Sequence, residues 1–322
     1  MKIRPHTPLV ASAVLLGLMA SGTAPAYASL DTDPDQVAQT VAAVAPTELS
    51  AVDIHENEDH LSAPLTQGGE AVISRAASDG LTFSSDPGEQ GTTISLPGAS
   101  ALSDAAVSAD GSVTYAGNQQ VPAVNVVASE DAVRISTVIT SPSQPQEFAY
   151  DFGAGNSVEI QEDGSVVVVS DQPAAGSPET EVIVASIDAP WATDASGVPV
   201  ATHYVAEGSV LTQVVEHRSG DTTYPVVADP TVDQPNIFQY RVRFDRAETA
   251  AIASGGWGGV VGSFSCGVMA PVCALATGSL AYNAGVAQNS SPKKCVQVTA
   301  TQPMVVPGMV WWVDTYAGGP CT

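Results

Sequence analysis

The chain has 322 residues, a length that accommodates about two domains. Ten Lys and Arg against 34 Asp and Glu leave a formal net charge of -24, and a surface that acidic repels phosphate backbones and excludes nucleic-acid binding. With 44% hydrophobic and only 14% charged residues, the chain is also too apolar for wholesale disorder. Lys2 and Arg4 open the sequence, Leu9 to Ala20 is a short apolar run, and Ala26-Tyr27-Ala28 supplies a small-x-small cleavage signal, the three-part pattern of a secretory signal peptide over residues 1–28. The run is too short to cross a bilayer of about 30 Å as a helix. Export and release into the extracellular space are therefore expected.

Residues 29–85 are rich in Asp, Glu, Ala, Ser, Thr and Pro and nearly lack aromatics, which predicts an acidic, disordered pro-segment or linker. Within it, Gln36 to Val44 has the spacing of one short amphipathic helix that stops before Pro46. From 86 to 235 the pattern changes to period two. The strand-like runs include Ser112–Tyr115, Ala132–Ile139, Ser165–Val169, Glu181–Ala185, Ala201–Val205 and Val210–Val215. Turn pairs separate them, among them Asp110-Gly111, Asp163-Gly164 and Ser196-Gly197. Short strands between turns, with no long helical pattern, predict a mainly β chain built as an antiparallel β-sandwich or open barrel. Two phrases echo one another, Ala109-Asp-Gly-Ser-Val-Thr-Tyr and Glu162-Asp-Gly-Ser-Val-Val-Val, and shared turn chemistry accounts for them as well as a repeat does.

Ala189-Pro-Trp-Ala-Thr-Asp-Ala-Ser-Gly197, followed by Tyr224-Pro-Val-Val-Ala-Asp-Pro-Thr231, resembles the end of a β-rich module found in many secreted actinobacterial proteins. The closing phrase is also loosely similar to one in wall-associated YD-repeat surface proteins. The resemblance spans roughly residues 85–231 and implies a module standing before a variable C-terminal segment, without implying an activity. No repeats follow the module here.

Charge and cysteine both change near residue 240. Residues 29–240 hold three basic residues against 31 acidic ones, whereas 241–322 hold five basic residues against three. All four cysteines, Cys266, Cys273, Cys295 and Cys321, lie in the second part, which predicts a separate small α+β domain over 236–322. Asp245 and Glu248 have capping-box spacing, so a helix should start there and end near Gly255-Gly256. Trp257 to Met269 and Pro271 to Ala287 predict a helical hairpin, and Cys295–Thr299 and Met309–Tyr316 read as strands. Export favours oxidised cysteines, and four allow three pairings. Cys266 with Cys273 across the hairpin corner, and Cys295 with Cys321 at the terminal strand, are the expected pair.

Motifs of catalysis are absent: the sequence holds no G-x-S-x-G elbow, H-E-x-x-H helix, P-loop or G-x-G-x-x-G turn. His55 and His60 sit in an acidic stretch that reads as solvated linker, and His203 and His217 sit in strands, where a half-buried structural role is the ordinary one. No catalytic residue, metal or cofactor is predicted. The candidates for function are aromatic: Trp257, Trp311 and Trp312, beside the basic Arg241, Arg243, Lys293 and Lys294. Adjacent strand residues face opposite sides, so one of Trp311 and Trp312 should be buried and the other exposed. Such a surface suits an envelope polymer, a membrane interface or an extracellular protein as partner. The expectation is a secreted, non-enzymatic, extracellular or envelope-associated binding protein. The alternative is the precursor of a membrane-active or antagonistic C-terminal effector carried by the acidic module.

Overall fold

A computed structural model describes residues 33–46, 49–85, 91–235, 237–255, 267–301 and 310–321. The expected signal peptide, Trp257, Cys266 and most of the first arm of the hairpin lie outside these residues. Helix α1 (Pro34–Val44) begins at Asp33, whose carboxylate accepts the Asp35 N–H, with Pro34 in the first turn where its missing donor is harmless. Its Val37 and Val41 pack on Ala123, Val138 and Val227.

The expectation of disorder over 29–85 is corrected. A five-stranded antiparallel sheet runs in sequence order through β1 (His55–Glu56), β2 (His60–Pro64), β3 (Glu70–Ser74), β4 (Leu81–Ser84) and β5 (Thr92–Ile94). Its inward positions are Leu61, Ala63, Ala71, Ile73, Leu81, Phe83 and Ile94, all in the main core. Alanine fills two of them, Ala63 and Ala71, so the stretch is only weakly apolar in composition while its alternation is intact. Gly80 turns β3 into β4 at φ +69, and a Cβ there would lie 2.3 Å from the Ile94 carbonyl oxygen.

The second sheet begins with β6 (Ala105–Val107), β7 (Val113–Tyr115), β8 (Ala123–Ala128) and β9 (Ala132–Ile139). A small sheet takes β10 (Glu147–Asp151), β15 (Thr202–Glu207) and β16 (Val210–Val215) in the order β10-β16-β15. The large sheet continues through β11 (Asn156–Ile160), β12 (Val166–Ser170), β13 (Glu181–Ile187), β14 (Ala192–Asp194), β17 (Val226–Ala228), β18 (Thr231–Asp233) and β19 (Gln239–Arg243). All its pairings are antiparallel and it stays open at its edges. The echoing phrases are turn chemistry. In each, the aspartate (Asp110 or Asp163) accepts both the N–H and the hydroxyl of the serine two residues on.

The boundary expected at 235 is also corrected. Strands β20 (Cys295–Thr301) and β21 (Trp311–Tyr316) extend the large sheet, because β19 pairs with β13 on one side and β20 on the other. The tail nevertheless has its own core. Helices α2 (Arg246–Ala253), α3 (Ala270–Leu275) and α4 (Thr277–Asn289) cover one face of β19–β21, with Ile252, Val272, Leu280 and Ala284 against Val242, Val296, Val298 and Ala300. The capping box of α2 forms as expected: Asp245 accepts the Glu248 N–H and Glu248 accepts the Asp245 N–H. Pro271 lies in the first turn of α3, and the helical run breaks at Ala276. Cys295 and Cys321 form the expected disulfide, and Cys273 is disulfide-bonded too.

Candidate ligand-binding trough

Strands β19–β21 bury alternate residues under the helices, and the residues between them face the other way. Cross-strand pairing aligns these into rows. Glu181, Arg241, Thr299 and Trp312 form one row across β13, β19, β20 and β21. Arg243, Gln297 and Asp314 form the next, and Ile183, Gln239 and Thr301 a third. Apart from Glu181, these residues floor a trough of about 1410 Å³.

The sheet curls to make its walls. β11 lies three strands from β19, roughly 14 Å away in a flat sheet, yet Glu159 on β11 reaches both arginines of β19. Arg241 binds Glu159 through Nη2 and Glu181 through Nε, each at 2.7 Å, and Arg243 binds Glu159 at 3.2 Å and also binds Glu181. Arg241 is 2% exposed. A buried guanidinium is tolerable only with this degree of pairing. Glu162, in the turn after β11, pairs with Lys294 at the start of β20 and closes the same curl.

This corrects the expected basic surface. Arg241 and Arg243 are internal braces and Lys294 is a wall contact, while Lys293 is exposed. All three braced cations neutralise glutamates 60 or more residues away in the sequence, and no local pattern announces such partners. The two tryptophans separate by face as expected, although each is half-buried: Trp311 packs on the helical core and Trp312 lines the trough. The Trp312 indole hydrogen-bonds Asp314, whose carboxyl is held above its ordinary pKa by burial and by Asp163. The carboxylates of the trough are what the sequence reading missed. The spacing Trp312-x-Asp314 on a strand was the available signal.

At the far end the trough meets a smaller cavity of about 320 Å³, and both are walled by Asp131, Asp188 and Asp233. Burial, then Asp188 and Asp131, push the Asp233 pKa up. Trp191 closes the small cavity, with the Arg134 guanidinium 5.7 Å from its ring centre. Behind this wall the two module phrases lock together. β14 pairs with β17, the Trp191 N–H donates to Asp229 at 3.0 Å, and Asp194 accepts the N–H groups of Ser196, Val198 and Thr223. Burial raises the Asp229 pKa to about 7, against the Trp191 N–H, the Thr231 hydroxyl and Arg134, which lower it.

The histidines stand apart from this site. His217 is buried, with its ring nitrogens engaged by the Tyr224 hydroxyl and the Pro145 carbonyl, and burial lowers its pKa. His203 is exposed on β15, and His60 bonds Asn57 beside β1. Among the described residues, no group of three His, Cys, Asp or Glu is placed to hold a metal ion, and no helix is long and apolar enough to cross a membrane.

No protein-family model and no curated protein matches the sequence. Among solved structures, the chain is similar to the gh92 family glycosyl hydrolase ccman5 at 12% identity and a TM-score of 0.26. The match covers 79% of this chain and 36% of that one. A likeness this distant carries no argument about the trough.

Proposed function

We propose that the protein is an exported, non-enzymatic binding module that holds an extended polysaccharide of the cell envelope or its surroundings along the trough. The observation that carries this reading is the row Arg241–Thr299–Trp312 on the floor of an open cleft of about 1410 Å³. Small-molecule pockets are typically about 300–1,000 Å³ and closed round their ligand, so the size and form suit a chain rather than a compact molecule. A half-exposed indole offers an apolar face to a sugar ring, and the amides of Gln239 and Gln297 offer donors and acceptors to hydroxyls. The signal-like leader and the disulfides agree with export. The effector reading has less behind it. Freeing the tail would strip β19 from β13, and three of the tail's five basic residues, Arg241, Arg243 and Lys294, are already paired with glutamates.

Full-length mature protein should co-sediment with an insoluble polysaccharide from a panel of cellulose, chitin and isolated cell walls. Trp312→Ala should abolish sedimentation and keep the circular dichroism spectrum. Trp311→Ala, its neighbour on the helix-covered face, should lower the melting temperature and keep sedimentation. Retention by Trp312→Ala, or no sedimentation by the unaltered protein, would overturn the proposal.

A further inference from the structure

We infer that the polysaccharide taken by the trough carries protonated amines rather than being neutral or acidic. This rests on the trough being the binding site, as its shape, polar rows and Trp312 argue; the charges lining it decide only the class of ligand.

Two arginines line the trough, and Glu159 and Glu181 bind both. Neither presents free positive charge. Glu162 is paired with Lys294, which leaves five lining carboxylates, Asp131, Asp163, Asp188, Asp233 and Asp314, and none of these forms an ion pair among the described residues. They fall in two groups. Asp314, which is hydrogen-bonded to the Trp312 indole, feels the charge of Asp163. Asp131, Asp188 and Asp233 wall the place where the trough meets the small cavity, and burial, then Asp188 and Asp131, push the Asp233 carboxyl up. The cation near the second group is Arg134, whose charge is shared between Asp229 and Asp188 and whose guanidinium lies over Trp191.

Like charges gathered along one cleft, with no cation paired to them, raise one another's energy. A uronate or phosphate-bearing polymer entering here would add to that repulsion, whereas ammonium groups relieve it. The indole face adds attraction for a cation lying beside a carboxylate. Two acidic groups at separate places along one cleft also suit a ligand with recurring positive charge, which a polymer of amino sugars supplies and a single amine does not.

The decisive comparison uses one backbone with and without charge: the hexamer of glucosamine against the hexamer of N-acetylglucosamine, titrated calorimetrically into the full-length protein. The free-amine hexamer should bind at least tenfold more tightly. Asp131→Asn/Asp188→Asn/Asp233→Asn should erase that preference. Asp53→Asn/Glu58→Gln/Asp59→Asn, which removes equal charge from exposed positions around β1, should leave it intact. Loss of the preference in both triple variants would reduce it to bulk attraction by an acidic protein and overturn the inference. Equal binding of the two hexamers, abolished for both by Trp312→Ala, would overturn the inference and leave the trough standing as the binding site. Binding of neither hexamer, with polysaccharide sedimentation insensitive to Trp312→Ala, would remove both.

Discussion

Strands β8 and β9 are buried between two coverings, whereas β19–β21 carry helices on one face and the trough on the other. At the first end the main core covers one face, and α1 lies on the other through Val37 and Val41. At the second, the helices take one side and the trough the other. The two ends handle buried charge differently as a result. Where both faces are covered, Asp229 sits among backbone and hydroxyl donors with its carboxyl pushed towards neutrality. Where one face is open, Glu159 and Glu181 stay partly exposed and bind guanidinium groups. One sheet thus carries a closed core at one end and an open trough at the other, and the kind of covering separates the two.

The largest effect expected is at the open end. Arg241→Ala leaves Glu159 and Glu181 with one shared cation instead of two and should lower stability by about 3–5 kcal/mol in urea unfolding. Adding Glu159→Gln and Glu181→Gln should recover much of that loss. If the single variant unfolds at the wild-type midpoint, the network does not brace the curl.

The covered end should respond to pH instead. Its Asp229 pKa rises from 3.8 to about 7, so the folded state holds this proton more tightly than the unfolded chain does. The contribution is full below about pH 4 and is lost as pH climbs through 7, amounting to at most ~4 kcal/mol. In Asp229→Asn, whose amide oxygen can still accept the Trp191 N–H, the unfolding midpoint should fall less between pH 4 and pH 7 than in the wild type. Parallel pH profiles for the two proteins would place the ionisation of Asp229 outside the stability of this end.

How much of this could be read from the sequence follows the same division. Local signals were legible: the period-two runs, the Asp-Gly-Ser turns, the capping box at Asp245 and the pairing of Cys295 with Cys321 each depend on residues near one another or on export alone. The sheet over 55–94 was missed because alanine fills inward positions such as Ala63 and Ala71, so a genuine core face looks compositionally like a linker. The continuity across 235 was missed because β13 receives both β18 and β19 on one side, a pairing made by residues some 50 apart. Four strands, β11, β12, β13 and β19, had to curl before Glu159 could meet Arg241, so single residues in isolation suggested a basic surface where the fold makes an acidic one.

The smallest effect separates a dry covering from a wet one. Under α1, Thr114, Asn125 and Ser136 form a cross-strand row on β7, β8 and β9, and the Ser108 hydroxyl ties that row to the Pro34 carbonyl at 3.1 Å. The Asn125 amide donates to Ser112 and Thr114, but its oxygen and the Ser136 hydroxyl are buried with no protein partner. An unpartnered buried hydroxyl costs about 1–3 kcal/mol of desolvation. Ser136→Ala removes that group and leaves a methyl against an apolar helix face, so stability should rise by ~1 kcal/mol. A fall of similar size would mean that water bridges Asn125 and Ser136 beneath the helix. The covered end would then resemble the trough in being hydrated, and the contrast between the two ends would rest on charge alone.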